Sequence, residues 1–392
     1  MHSGSQSVVL LGSTGSIGTQ ALDVISRNPQ RFNVVGLSAG GGNIPELAQQ
    51  VQEFGVPQVA IADSSRALEL EHELRARNCR TEVFAGPDAA AHLAGVGADI
   101  VLNGITGSVG LGPTLAALHA GSTLALANKE SLVSGGELVK RALQRPDQIV
   151  PVDSEHSAMA QALRGGRRTE VKKFILTASG GPFRGKKRSD LEHVTVENAL
   201  AHPTWAMGPV VTINSSTLVN KALELIEAHV LFDVPVSDIE VVVHPQSVVH
   251  SMIEFIDGST LAQASPPDMR LPIALGLSWP DRIVNGSVPV DWTTAHTWTF
   301  EPLDENVFRA VKIARQAVNM SSTHPTVFNA ANEECVAAFI AGKIGYLDIV
   351  DTVERVLSEF DAPAGELTVE QVSHVESWAR KRAHEHVARA QA

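Results

Sequence analysis

What most constrains this chain is a rhythm in its first third. Short β-branched runs at Val8 to Leu11, Val34 to Leu37, Val59 to Ala62, Ile100 to Leu102, Thr123 to Ala127 and Ile149 to Val152 alternate with helical stretches. Such alternation means βαβ units and a parallel sheet. Ligands of these sheets bind at the carboxyl ends of the strands, so the residues after each run carry the functional information. Here they are Gly12-Ser13-Thr14-Gly15, Ser38-Ala39-Gly40, Asn103-Gly104, Asn128-Lys129-Glu130 and Asp153-Ser154-Glu155, and one rim is expected to collect them.

From about Glu170 the pattern changes. Phe174 to Thr177, Ile239 to Val243, Val248 to Phe255 and Thr260 to Ala264 read as strands without regular crossover helices, interrupted by one strong helix over Thr217 to Phe232. A mostly antiparallel sheet with a helix on one face is expected. The stretch Pro280 to Asn306 has several prolines, Trp292 and Trp298 but little periodicity. Val307 to Val318, Ala330 to Ala341 and Ile349 to Phe360 then place apolar residues at helical spacing. The expected fold is therefore α/β: an N-terminal Rossmann-like parallel-sheet domain over 1–152, an α+β catalytic domain over 153–279, a linker over 280–306 and a C-terminal helical bundle over 307–392.

Composition excludes several functions. The formal net charge of −12 argues against nucleic acid, whose backbone demands a broad basic surface. No stretch approaches the roughly 18 uncharged apolar residues of a membrane span. The start, Met1 to Ser7, is polar, and a cytoplasmic protein is expected. Cys79 and Cys335 lack CxxC spacing and suggest neither a disulfide framework nor a thiolate metal site.

Gly12, Gly15 and Gly18 stand between the first strand and the next helix, spaced GxxGxxG. Glycines there allow a tight turn and let backbone N–H groups approach a pyrophosphate. The second strand ends Leu37-Ser38-Ala39-Gly40-Gly41-Gly42-Asn43 with no acid to bind ribose hydroxyls, which favours NADP over NAD. No Arg or Lys lies in that segment either, so a 2′-phosphate is expected to rely on backbone N–H groups, Ser38 and Asn43.

Asp153 and Glu155 follow a strand, and an extended backbone would send both to one face. Thr217, Asn220, Lys221 and Glu224 fall at offsets that stack them on one helical stripe. Asn214-Ser215-Ser216 upstream reads as a hydroxyl-rich helix start suited to capping or to a phosphate. A bare DxE pair or polar helix stripe is usually a solvated surface; the position of Asp153 and Glu155 on the cofactor rim argues otherwise. Gathering Glu224 beside them would cost about 4 kcal/mol per like-charged contact at an effective dielectric of about 20. A cation must offset that, and an oxygen-only donor set selects Mg²⁺ or Mn²⁺. Lys129 and Lys221 could meet a phosphorylated substrate. His202-Pro203-Thr204-Trp205-Ala206-Met207-Gly208 has the character of a lid, while His244 and His250 lie along a strand as supporting candidates.

GSTGSIG (12–18), ANKE (127–130), VDSEHSA (152–158), TASGGPF (177–183), HPTWAMG (202–208), NSSTLVNKALE (214–224), HPQSVVHSM (244–252) and NAANE (329–333) occur in this order. Together they resemble the 1-deoxy-D-xylulose 5-phosphate reductoisomerase family along almost the whole chain. The resemblance implies a homodimer that rearranges and reduces a sugar phosphate, the second step of non-mevalonate isoprenoid synthesis, using NADPH and Mg²⁺ or Mn²⁺, with Co²⁺ a further candidate. It implies cofactor contacts at Thr14, Gly15, Ser16, Ile17, Asn43, Asn128, Glu130 and Gly208, beside which Gly12, Gly41 and Gly42 of the two loops are expected to line the cofactor, and metal ligands at Asp153, Glu155 and Glu224. Substrate contacts are implied at Lys129, Ser154, Glu155, Ser179, His202, Trp205, Ser215, Asn220, Lys221 and Glu224, with Lys129 and His202 also in catalytic roles. Gly41 and Gly42 stand where members often carry Lys or Arg, and Pro209 and Val210 where basic residues are common. The competing reading is an NADP-dependent dehydrogenase of another sugar phosphate, without skeletal rearrangement.

Overall fold

The computed structural model describes residues 4–205, 208–284 and 286–390, so Ala206 and Met207 of the lid motif lie outside the described residues. Two compact units result, each with its own hydrophobic core.

The first unit comprises the chain up to Ser131, Val139–Ser157 and Asp268–Val288. Its elements run β1 (Gln6–Leu11), α1 (Ser16–Ser26), β2 (Phe32–Ala39), α2 (Ile44–Phe54), β3 (Gln58–Ile61), α3 (Ala67–Ala76), β4 (Glu82–Ala85), α4 (Ala89–Ala94), β5 (Ile100–Asn103), α5 (Leu111–His119), β6 (Thr123–Leu126), α6 (Lys129–Ala142), β7 (Ile149–Pro151) and α7 (Ser154–Leu163), the last two helices crossing the unit boundary. The strands form a parallel sheet in the order β4-β3-β2-β1-β5-β6-β7. The order reverses at β1, which lies between β2 and β5; this is the switch point at which such sheets bind ligands. Val8, Leu10, Leu37, Val59, Ile61 and Leu102 fill the core, fully buried or nearly so, as expected of strands covered on both faces.

The sequence reading misses β4. It is the edge strand, and its residues are only partly buried or exposed, so no apolar run announces it. Helix α11 (Arg270–Ser278), read above as part of the catalytic segment, packs on α1, β5, β6 and β7 of this first unit. Gly276 permits the contact, since a Cβ there would meet Val152 at 2.9 Å.

The second unit holds β8 (Val171–Ala178), α8 (Val196–Leu200), α9 (Pro209–Ser216), α10 (Val219–Phe232), β9 (Ile239–Val243), β10 (Val249–Phe255), β11 (Thr260–Ala264), β12 (Glu301–Pro302), α12 (Ala310–Met320), α13 (His324–Ile340), α14 (Tyr346–Ser358) and α15 (Val369–Ala390). The sheet order is β11-β10-β8-β9-β12, antiparallel except for the parallel pair β8 and β9. A parallel pair needs a crossover, and the segment containing α8, α9 and α10 supplies it. The C-terminal helices share one core with this sheet: Phe174, Leu176 and Ile253 belong to the same cluster as Val336, Val353 and Val387. Helix α13 is buried on nearly every side, which explains its lack of an amphipathic pattern. No helix among the described residues is long and apolar enough to cross a membrane.

Candidate active site

The glycine loop of the first unit is built to bring backbone to a ligand. Gly12, at φ +79°, turns the chain out of β1, and its N–H and that of Ser13 both donate to the Ser38 carbonyl at 2.8 Å. A Cβ on Gly12 would lie 2.8 Å from the Gly104 carbonyl oxygen, and one on Gly18 would collide with the backbone of Gly12 and Ser13. Helix α1 starts from Gly15 with no side-chain cap and no acid in its first turn. Its first amides and its dipole therefore suit an anion. Ser13 Oγ is fully buried and has no hydrogen-bond partner among the described residues. Such an uncapped helix start behind a glycine cradle fits a dinucleotide pyrophosphate. Thr14 and Ile17 are half-buried beside it and Ser16 is exposed.

Asn128 caps α6. Its Oδ1 accepts from Ser131 N at 2.9 Å, and its Nδ2 donates to the carbonyls of Ile105 and Gly107, each at 2.8 Å, and to Glu130 Oε2 at 2.9 Å. The side chain thus ties the loop after β5 to the helix after β6. At the end of β2, Asn43 caps α2 through Glu46 N, and Ser38 is buried beneath the glycine loop. A cation unforeseen in the sequence reading reaches this loop: Arg66 Nη1 donates to the Gly41 carbonyl. No local signal could have found it, because Arg66 follows a different strand.

Asp153 and Glu155 sit where β7 gives way to α7. The Asp153 carbonyl accepts from Ser157 N at 2.9 Å, so the helix has already begun and the pair is not extended as expected. The two acids nevertheless present oxygens within 4.8 Å of each other. A helix N-terminus favours carboxylates there. Lys129 Nζ pairs with Asp153 Oδ2 at 2.7 Å, both side chains being mostly buried, and Ser154 Oγ donates to Glu155. His156, fully buried, went unremarked in the sequence although it offers a ring nitrogen within 4.8 Å of the Asp153 carboxylate.

In the second unit the segment 214–224 departs from the expected geometry. Asn214, Ser215 and Ser216 end α9 rather than start the next helix, and Leu218 at φ +59° breaks the chain before α10. Thr217 therefore does not share the helical stripe of Asn220, Lys221 and Glu224. Nor is that stripe a wet face: Lys221 is 5 % exposed and Glu224 1 %. Glu224 accepts from both Asn220 Nδ2 and Lys221 Nζ. Glu227, one turn on, is equally buried. Acids are almost never buried to this degree unless paired.

His202 Nδ1 accepts from the amides of Thr204 at 3.1 Å and Trp205 at 2.9 Å. It must therefore carry the lone pair, which leaves the proton on Nε2. Nε2 lies 3.2 Å from Ser179 Oγ, which also accepts from Gly181 N at 3.2 Å. With two donors directed at it, the Ser179 hydroxyl is left to donate its own hydrogen outward. Burial holds the His202 pKa below the usual histidine value, in keeping with a neutral ring. Trp205 meets His250 edge to face at 6.2 Å. Gly208 precedes α9, and Pro209 opens that helix, where its fixed φ is suited and no N–H is missed. The strand histidines are structural. His244 bonds Thr299 O and the amides of Val248 and Val249, and His250 bonds Ser265 O.

A parallel-sheet unit with a glycine-loop anion cradle and acids on its strand-end rim, joined in one chain to a unit bearing a buried Lys–Glu pair and a partly buried Ser–His pair, has the character of a dinucleotide-dependent enzyme. Three family profiles match: 1-deoxy-D-xylulose 5-phosphate reductoisomerase over residues 8–136, its C-terminal domain over 149–232, and DXP reductoisomerase C-terminal domain over 264–382. The chain is 65 % identical to the 1-deoxy-D-xylulose 5-phosphate reductoisomerase of Beutenbergia cavernae, with 96 % of each chain covered, and 61 % identical to that of Pseudarthrobacter chlorophenolicus, covering 97 % and 98 %. Among solved structures, the reductoisomerase of Zymomonas mobilis in complex with NADPH matches at TM-score 0.91 and 41 % identity, over 98 % of this chain and 99 % of that one. A DOX-P reductoisomerase in complex with NADPH, fosmidomycin and magnesium matches at TM-score 0.91 and 35 % identity, over 98 % of both. This chain belongs to the 1-deoxy-D-xylulose 5-phosphate reductoisomerase family.

Proposed function

We propose that the chain converts 1-deoxy-D-xylulose 5-phosphate to 2-C-methyl-D-erythritol 4-phosphate with NADPH and a divalent cation, and that Asp153, Glu155 and Glu224 hold that cation. The observation that carries the ligand assignment is Glu224, a carboxylate 1 % exposed that keeps Asn220 and Lys221 at its oxygens. The donor set is all oxygen, which suits Mg²⁺, Mn²⁺ or Co²⁺.

Held by Asp153, Glu155 and Glu224, a cation would supply Lewis-acid polarisation of the substrate, and NADPH would supply the hydride. The residues of the chain do the rest. Ser179, Ser215, Asn220 and Lys221 bind the phosphate, using binding energy remote from the reacting carbons. Lys129, held by Asp153 at 2.7 Å, hydrogen-bonds the substrate oxygen on which negative charge develops. The rearrangement would run by retro-aldol cleavage and re-addition, and the aldehyde formed would accept a hydride from NADPH and a proton from solvent. His202, Trp205 and Gly208 cover the reacting atoms and exclude water. The amides after Gly12 and at the start of α1 hold the pyrophosphate, with Thr14, Gly15, Ser16, Ile17, Gly41, Gly42, Asn43, Asn128, Glu130 and Gly208 lining the cofactor. The active form is a cytoplasmic homodimer; the exposed apolar side chains of Trp292, 69 % exposed, and Phe300, 45 % exposed, support a subunit contact.

The test follows NADPH absorbance with the sugar phosphate and Mn²⁺, in the parent chain and in Glu224→Gln, with the product identified by NMR. Loss of the cation's several kcal/mol of charge stabilisation predicts a fall of about 10²- to 10³-fold in kcat. Undiminished turnover in the variant, or turnover indifferent to a chelator, would remove Glu224 from this role.

A further inference from the structure

The loop after β2 lacks the cation that a 2′-phosphate calls for, and the structure supplies one from elsewhere in the same unit. Strands β2 and β3 pair in parallel with Ala39 opposite Ile61, and the pairing continues past both ends: Ala62 N donates to Ala39 O and Asp63 N to Gly40 O, each at 3.1 Å. The chain after β3 therefore runs alongside the glycine-rich loop. Asp63 caps the next turn, its Oδ1 accepting from Ser65 N at 3.0 Å and Ser65 Oγ at 2.6 Å. That turn spans Ser64–Arg66 and delivers Arg66 to the Gly41 carbonyl. Gly41 itself is at φ +115°, and a Cβ there would press on Asp63 at 3.0 Å. Glycine at this position is what lets the two loops lie so close.

The guanidinium has five N–H donors in a rigid fork. Nε donates to Glu69 Oε2 at 3.0 Å, Nη2 to Glu69 Oε1 at 2.8 Å, and Nη1 to the Gly41 carbonyl. Among the described residues three donors are committed and two are left for a ligand. Glu69 thus fixes the plane of the fork while the outer edge stays open, and the side chain is 32 % exposed. In sheets of this kind the adenosine ribose lies at the end of the second strand, and an arginine near it accommodates the 2′-phosphate.

We infer that Arg66 binds the 2′-phosphate of NADPH and sets the preference for NADPH over NADH, with Glu69 as its positioning residue. This rests on the cofactor reading above. The carbonyl of Gly41 and the carboxylate of Glu69 hold the fork in place before the cofactor arrives, so little side-chain entropy is lost on binding.

Calorimetry on the full chain with NADPH, NADH, 2′,5′-ADP and 5′-AMP tests it without turnover. Arg66→Ala is expected to weaken NADPH and 2′,5′-ADP by about 10- to 100-fold, the worth of one or two charge-assisted hydrogen bonds, and to leave NADH and 5′-AMP unchanged. Arg66→Lys should recover part of the loss, because it restores the charge without the fork. Equal weakening of NADPH and NADH, or an undiminished preference for NADPH in Arg66→Ala and Arg66→Lys, would overturn the assignment of Arg66 alone. A parent chain that binds NADH as tightly as NADPH would overturn the cofactor reading and the inference with it.

Discussion

The two units build their candidate sites by different physical means. The first presents backbone: Gly12 and Gly18 exist to bring carbonyls and amides close together, and the uncapped start of α1 offers N–H groups to an anion. The second presents side chains that hold each other in place, Ser179 with His202 and Gly181, and Glu224 with Asn220 and Lys221. Backbone recognition depends on shape and tolerates many exposed side chains. Side-chain networks tolerate almost no change, because each member is the partner of another.

This contrast orders the expected effects of substitution. The largest is at Gly18, where Gly18→Val would drive the side chain into the Gly12 and Ser13 backbone. About 3 kcal/mol of stability should be lost in denaturant titration, and NADPH binding with it. A variant that kept its NADPH affinity would show that shape does not govern the first unit.

Asn128→Ala comes next. It strips the carbonyls of Ile105 and Gly107 and the N–H of Ser131 of a buried partner, for about 2 kcal/mol by the same titration. Here a side chain, not the backbone, organises the strand-end rim, so a negligible effect would leave backbone shape as what holds the first unit's loops.

Ser179→Ala should raise KM for the sugar phosphate about 10-fold, the worth of one hydrogen bond to a charged group, and leave the dissociation constant of NADPH unchanged. Parallel loss of both would mean that the two networks are not separable.

The smallest effect is on pH. Burial lowers the His202 pKa from 6.5, so as pH falls below that value the unfolded chain takes up a proton that the folded ring still refuses. Stability is therefore fully present above pH 6.5 and declines as pH drops toward the folded value. Once protonated, Nδ1 can no longer accept from Thr204 and Trp205. Denaturant midpoints measured from pH 7.5 down to about 5 should slope downward in the parent and less so in His202→Gln.

Much of the first unit was legible from residues alone. The runs ending at Leu11, Leu37, Ile61 and Leu102 are apolar because parallel strands are covered on both faces, and the residues after them belong to the rim by topology. What escaped detection had no local signature. Strand β4 lies half exposed at the sheet edge, α11 comes from more than a hundred residues beyond the sheet it covers, and Arg66 reaches the β2 loop only because β2 and β3 are neighbours.

The second unit was legible in its motifs but not in its geometry. Periodicity cannot show a left-handed residue, and Leu218 is held there while 3 % exposed, so packing overrides its local preference. That single turn separates Thr217 from the stripe of Asn220, Lys221 and Glu224. Nor does a polar stripe announce whether it faces water; the core around α10 decides that Lys221 and Glu224 are buried.

The sequence by itself determined the α/β class, the cofactor loop, the oxygen character of the candidate metal ligands and the family, because each resides in residue types at short spacing. Tertiary structure alone decided which charges are buried, which tautomer His202 adopts and which arginine stands at the second strand's end. Those outcomes depend on neighbours brought from far along the chain, and desolvation and hydrogen-bond partners exist only once those neighbours have arrived.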